Sequence, residues 1–295
     1  MSILVTTPTG HIGSRVARRL LEAGADFAVF ARDPSKLPSD LQSRAVQGDL
    51  EDAAALARAL DGRRTLFFVI PPKFDVADWR AWQRQLGENA VEAMRAAGTE
   101  RVVLLSSVGS ERDDLGPVSG LGEVADMLRA ASPHVAELKP GYFFENFFQQ
   151  TEPIGGQGML FGQLPDDAAF QMVATDDIGD VAARWVQADW SGHVTAGIHG
   201  PEDLTMPQAA ERLARGIGRA VRYQRVPNEA VLGGLRAMGA SESFATEYGK
   251  MFDGYARRSL AAEPRTPETT TPTTLDAWAA RTLKPALDAA APAHA

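Results

Sequence analysis

The chain has no cysteine. Disulfides, thiol nucleophiles and cysteine-containing zinc sites are thereby excluded. No run of about 18 apolar residues occurs, so no segment reads as a membrane span. No block of Lys and Arg reads as a patch for nucleic acid or lipid, and the formal charge of −8 gives no long-range attraction for either. Met1 to Val5 carries no basic leader ahead of an apolar stretch, so the protein reads as cytoplasmic. His11, His134, His193 and His199 show no metal-ligand spacing, and no metal is expected. Repeats of solenoid length are also missing.

What is there is an alternation. The chain has 295 residues and is 44% apolar, enough for one large core or a core with a lobe. Short β-rich runs fall at residues 2–6, 26–31, 44–47, 65–70, 101–106 and 135–138, with helical patterns between most of them. That order predicts an α/β fold, a parallel sheet covered on both faces. The first helix carries Ile12, Val16, Leu20 and Leu21 on one face and should stop at Gly24; a longer one from about Val76 should stop at Gly98. After Leu138 the rhythm changes to the aromatic "KPGYFFENFFQQ" and the glycine-rich "PIGGQGMLFG", followed by helices over 206–217, 228–238 and 241–260. These predict a smaller lobe over the ligand edge of the sheet. The boundaries read as 1–150 for the first domain, with 176–198 packing back onto it, and 151–285 for the lobe. Thr273 and Asp276 stand at capping-box spacing for a last helix, and 286–295 should fray.

The first βα turn, "VTTPTGHIG", resembles the Thr-Gly-x-x-Gly-x-x-Gly loop of short-chain dehydrogenases, with Thr7 in place of the first glycine and Gly10 and Gly13 retained. Such a loop lets backbone amides approach a diphosphate at the start of a helix. Thr7 would spoil this if its φ had to be positive, but Pro8 biases the residue before it toward extended geometry. An altered but functional loop is therefore expected, with Thr7, Thr9, Gly10, His11, Ile12 and Gly13 as cofactor-binding candidates. His11 also reads as an exposed loop residue. About twenty residues on, where an NAD site presents an acid to the ribose, the sequence reads "FARDPSK". Arg32 and Lys36 match a 2′-phosphate clamp and favour NADPH, with NADH the alternative and Asp33 the complication. In "GDL", Asp49 and Leu50 stand where a carboxylate would accept from the adenine amino group, although Asp49 equally suits a helix cap. Pro71, beyond the fourth strand, completes the candidate cofactor set.

The loop, "FARDPSK", "GDL", "AAGTERVVLLSSVG", "LKPGYFFEN", "VATDDIGDVAA" and "HGPEDLT" occur in the order found in the NmrA-like branch of atypical short-chain dehydrogenases, over residues 3 to about 205. The resemblance implies a Rossmann doubly wound parallel sheet, a smaller C-terminal α/β substrate lobe, and NADP(H) between them. Relatives of that kind include quinone reductases, reductases of phenolic natural products, ketoreductases of aromatic polyketides, and sensors that bind the dinucleotide without turnover.

The usual Tyr-x-x-x-Lys pair is missing. The stretch after the fifth strand, "GPVSGLGEVADML", has neither residue, and Leu121 stands where relatives with "GKGE" have lysine. Ser106 and Ser107 match the serine that orients a carbonyl, and equally suit capping or the satisfaction of strand-end groups. Asn146 matches the asparagine of the family's "RPGxFxxN" segment and is a second orienting candidate. Asp177 and Asp180 read as helix N-terminal acids. Without a protein acid, an aliphatic ketone is a poor substrate, because its alkoxide is strongly basic. A quinone becomes a phenolate of pKa about 10, and a phenolic aryl ketone carries its own proton. Flat, oxygenated aromatics are therefore the expected substrates, and Tyr142, Phe143, Phe144 and Phe147 the expected pocket, against the alternative that any one of them is core. The reading is an NADPH-dependent reductase of a quinone or polycyclic aromatic ketone. Its competitor is a non-catalytic dinucleotide sensor with a protein partner; an isomerase or a scaffold ranks third.

Overall fold

The computed structural model describes residues 2–257 and 265–290. Strands β1 (Ile3–Thr6), β2 (Phe27–Ala31), β3 (Ala45–Gln47), β4 (Thr65–Phe68), β5 (Arg101–Leu105) and β6 (His134–Pro140) fall on the six β-rich runs. Tyr142–Phe143 (β7), Met159–Gly162 (β8) and Ala169–Val173 (β9) follow, then β10 (His193–Ile198), β11 (Asp203–Thr205) and β12 (Arg222–Arg225). A parallel sheet of seven strands runs in the order β10-β6-β5-β4-β1-β2-β3. Its seventh strand, β10, was not among the predicted runs, because "HVTAGI" keeps only its last two residues fully buried.

Strand residues alternate between two cores. Ile3, Val5, Val29, Phe67 and Val103 face one side, where they meet Val16 and Leu20 of α1 (His11–Glu22). The same core takes Ile178 and Val186 of a helix over Thr175–Gln187. Leu4, Ala28, Phe30, Leu66 and Leu104 face the other, against three helices. These are α3 (Ala53–Leu60), reached after the short α2 (Ser39–Gln42), then α4 (Trp79–Ala97) and α5 (Pro117–Ala131). Each fully buried Leu or Phe is worth roughly 1.5–3 kcal/mol against exposure, so this period-two pattern fixes the strand register. The fold is the doubly wound α/β type.

Helix ends follow their chemistry. Asp78 accepts from the Ala81 amide and starts α4 two residues after Val76, and Gly98 ends it at φ +69°. The Thr175–Gln187 helix is α7, after α6 (Thr151–Gln157). Asp180 on α7 does not act as a cap. It takes paired bonds from Arg15 (2.6 and 2.9 Å) and Arg19 (2.7 and 2.8 Å) of α1, which hold its carboxyl far below the usual range against the cost of burial. Asp177 likewise reaches out of its helix, accepting from the Thr273 amide (3.0 Å) and hydroxyl (2.8 Å).

The remaining elements build a second core. It draws on α8 (Met206–Ile217), α10 (Glu242–Arg257), α11 (Leu275–Trp278), a π-turn over Ala279–Leu283 and α12 (Lys284–Ala290), with α9 (Asn228–Ala237) packed on α10 through Leu232. They cover a three-stranded sheet, β11-β9-β7, and the β12-β8 pair. The expected helix tail 258–260 and residues 291–295 lie outside the described residues. Thr273 is not the cap of the last helical segment. Its hydroxyl is taken by Asp177, and Thr274 accepts from the Ala277 amide instead. Nor do residues 286–290 fray, since they complete α12 and bury Leu287 in the lobe core.

Candidate functional site

The strand order reverses between β1 and β4, where doubly wound sheets open a crevice at the carboxyl ends of their strands. Thr6 joins the two lips: its hydroxyl donates to the Phe67 carbonyl (3.0 Å) and accepts from the Val69 amide (3.1 Å). Thr7 follows at φ +50°, the only positive φ at a non-glycine among the described residues. The extended geometry expected from Pro8 is therefore wrong. The turn closes through the Thr7 carbonyl, which accepts from the Gly10 amide at 3.0 Å and lies directly over Gly13. Thr7 thus keeps the conformation a glycine adopts freely, at a cost of about 1–3 kcal/mol.

A Cβ on Gly13 would stand 2.2 Å from the Thr7 carbonyl oxygen and 2.9 Å from that of Thr6, both backbone atoms. A Cβ on Gly10, whose φ is −83°, would meet Thr7 at an ordinary 3.5 Å. Gly13→Ala is accordingly expected to lose about 1–3 kcal/mol in urea denaturation. Gly10→Ala should stay within about 0.5 kcal/mol of the parent.

The opening of α1 has no side-chain cap and no acidic residue in its first turn, and its first intrahelical bond runs from Ser14 to Gly10. The amides of His11, Ile12 and Gly13 precede that bond and have no carbonyl one turn back. The His11 side chain is exposed and that of Ile12 is buried in the sheet core, and neither residue lines the crevice.

The crevice has a volume of about 590 Å³. Thr7, Thr9, Gly10, Arg32, Lys36, Asp49, Leu50 and Pro71 all line it, which brings together eight of the eleven cofactor candidates. Asp33 turns back on its own loop. It accepts from the Ser35 amide (3.1 Å) and hydroxyl (2.6 Å), which hold its carboxyl below the ordinary value, and Lys36 stands 3.8 Å away. The exposed Arg32 remains at the end of β2. Asp49 is not the cap of α3; it accepts from Glu51, and Asp52 caps the helix through Ala55.

Three further lining residues escaped the sequence reading. Glu51 accepts from Lys73 (2.5 Å) and from the Trp82 indole (2.9 Å), joining three separate segments beside Leu50. Beyond Lys73 the chain is tied to the lobe, where Phe74 accepts from the Ser241 amide at 2.8 Å and packs its ring on Phe244 at 4.9 Å.

At the carboxyl end of β5 the two serines part company. Ser106 is buried and donates to Glu137 at 2.7 Å, as does Ser110, and Arg129 meets the other carboxylate oxygen. Ser106 is thus consumed by a buried network on the α5 side, which corrects its assignment as an orienting group. Ser107, the next residue, is half-buried, and its hydroxyl donates to the Val108 carbonyl at 3.4 Å. Asn146 is half-buried, near Tyr142.

Phe144 and Phe147 are not pocket residues. Both are 1% exposed, in the lobe core, with their rings 5.7 and 6.5 Å from Trp278. Phe143 packs against the sheet core, while Tyr142 keeps partial exposure. Glu145 between them is structural: it accepts from the Thr175 amide at the start of α7 and from the Trp278 indole, both at 3.0 Å. α5 presents neither tyrosine nor lysine.

The family model described as "NmrA-like family" matches residues 1–278. The chain belongs to this family. It is 30% identical over 259 residues to the NAD(P)H azoreductase of Xenophilus azovorans, covering 85% of this chain and 86% of that one. Among solved structures, a nucleoside-diphosphate-sugar epimerase from Staphylococcus aureus superposes with a TM-score of 0.82 at 17% identity, over 95% of this chain and 100% of that one. An NADPH-dependent quinone oxidoreductase from Escherichia coli, complexed with NADPH, superposes with a TM-score of 0.74 at 20% identity, over 98% and 99% of the two chains. At these identities the solved structures establish the fold. Among the described residues no cluster suited to a metal ion occurs, and no helix is long and apolar enough to cross a membrane.

Proposed function

We propose that this NAD(P)H-dependent oxidoreductase of the NmrA-like family reduces a quinone or a polycyclic phenolic ketone with NADPH. The observation that carries the reading is a crevice that gathers the βα turn, Arg32 and Lys36 at the uncapped start of α1, in a fold whose α5 lacks the usual acid. The residues present fit the cofactor: the α1 amides suit a diphosphate, Arg32 and Lys36 a 2′-phosphate, and Asp49 and Leu50 an adenine. The bound dinucleotide supplies the hydride. The protein contributes position, worth several kcal/mol when the reacting carbon is held at attack distance. Quinones suit such a site because their first product is a phenolate of pKa about 10, which needs no strong acid nearby. The bacterial relative's name, NAD(P)H azoreductase, supports a nicotinamide-dependent reduction.

The test is NADPH consumption, followed by absorbance, with a panel of benzo-, naphtho- and anthraquinones and phenolic aryl ketones. Steady turnover with at least one class is expected, faster than with aliphatic ketones. Saturable NADPH binding with no turnover across the panel would overturn the reductase in favour of a dinucleotide sensor.

A further inference from the structure

Alone among the described non-glycine residues, Thr7 holds a positive φ, +50°. A β-branched side chain crowds its own backbone there, and glycine would take the position without strain. The turn makes no use of the side chain, because its closing bond joins the Gly10 amide to the Thr7 carbonyl at 3.0 Å. The sheet makes no use of it either. Thr6 spends its hydroxyl on the residues of and after β4, whereas the Thr7 hydroxyl makes no hydrogen bond among the described residues and is not sealed from solvent. Strained backbone positions cluster at ligand-binding sites, where the side chain is kept for what it meets.

The open space beside Thr7 is the dinucleotide crevice, which it lines together with Pro8, Gly10 and Arg32. Strand register fixes its place there. β1 and β2 run parallel with Thr6 beside Phe30, so Thr7 leaves the sheet level with Ala31, the residue before Arg32. In the other direction the loop reaches Gly10 and the uncapped start of α1 within three residues. A dinucleotide with its diphosphate at α1 and its 2′-phosphate at Arg32 carries its adenosine ribose between them, past Thr7. The 3′-hydroxyl of that ribose both donates and accepts, as a threonine hydroxyl does. Pro8 adds a reason for a side-chain donor at this point: it has no amide, so the loop offers one backbone N–H fewer to a ligand.

We propose that the Thr7 hydroxyl binds the 3′-hydroxyl of the adenosine ribose, and that the strain at this residue is the cost of that contact. The inference rests on the cofactor part of the reductase reading and is independent of turnover. It divides the work of the crevice. Arg32 and Lys36 tell NADPH from NADH, whereas Thr7 holds a group that both nucleotides share. Stability and affinity are therefore set against each other at one position: the residue that relaxes the turn is the residue that loses the ligand.

The experiment compares the full chain with Thr7→Gly, Thr7→Val and Thr7→Ser, using urea denaturation for stability and calorimetric titration with NADPH, NADH and adenosine 2′,5′-bisphosphate for binding. Thr7→Gly is expected to unfold at a higher urea concentration than the parent and yet to bind all three nucleotides about three- to tenfold more weakly, the range for one lost hydrogen bond. Thr7→Val keeps the shape and the strain but not the hydroxyl. It should show the same weakening with no gain in stability. Thr7→Ser restores the hydroxyl, and its affinities should stay within about twofold of the parent. Unchanged affinities in both the glycine and the valine variants would overturn the contact, as would a loss confined to NADPH and the bisphosphate, which would move the hydroxyl to the 2′-phosphate. A lower urea midpoint for Thr7→Gly would overturn the trade between strain and binding. Absent turnover in the parent, with nucleotide affinity still dependent on the Thr7 hydroxyl, would overturn the reductase reading and leave the contact standing.

Discussion

Arg32→Ala is expected to weaken NADPH binding by about 100-fold and to leave NADH within about threefold. A charge-assisted hydrogen bond contributes roughly 1.5–3 kcal/mol, and a guanidinium offers a phosphate two parallel donors where an ammonium offers a point charge. Arg32 lines the crevice at the end of β2. Its neighbours decide the size of the effect. Asp33 is ionised and close, but its Oδ1 accepts from both the amide and the hydroxyl of Ser35 and its Oδ2 faces Lys36, so its charge is partly spent within its own loop. Lys36 offers a second cation, half-compensated by Asp33 at 3.8 Å. Lys36→Ala should therefore cost NADPH less than tenfold, and the double variant should bind both nucleotides alike. Trp82 lines the same crevice, so quenching of its fluorescence reads out each titration. Raising the salt should narrow the gap between NADPH and NADH in the parent and have little effect in Arg32→Ala. Equal losses for both nucleotides would place the 2′-phosphate elsewhere.

Local periodicity carried most of the sheet and little of the substrate side. The six predicted strands alternate between two cores, and the helices between them have one apolar face each, so short windows of sequence sufficed. β10 escaped because an edge strand with few buried residues has no such signature. Thr7 shows a local rule overridden from outside. The pre-proline preference is worth less than the turn bond to Gly10 and the close packing of α1 over that carbonyl. Phe144 and Phe147 were misread for a related reason. Their spacing shows that one side of the turn is apolar, but Trp278, which covers that side, lies far along the chain. The missing Tyr-Lys pair was legible in the stretch that became α5. Crevice residues such as Glu51, Lys73 and Trp82 had no motif to announce them, because their bonds to one another join three separate segments.

The same distinction between a strand end and its neighbourhood gives the second large effect. Glu137→Ala is expected to destabilise the protein by roughly 3 kcal/mol, at the low end of the range for breaking a buried ion pair. The carboxylate is 1% exposed and joins β5, β6 and α5, accepting from Ser106 and Ser110 at 2.7 Å and from Arg129. Its removal leaves two hydroxyls without their acceptor, each costing about 1 kcal/mol or more, and a cavity between helix and sheet. Arg129 limits the damage, because it keeps Asp126 at 3.1 Å and some contact with solvent. Glu137→Gln retains the shape and one acceptor oxygen, and should lose less than half as much. Urea denaturation checks both: the midpoint should fall in that order with the slope unchanged. A loss below about 1 kcal/mol for the alanine variant would show that Ser106 and Ser110 find other partners. Ser106 would then be free for the substrate side, where this structure does not place it.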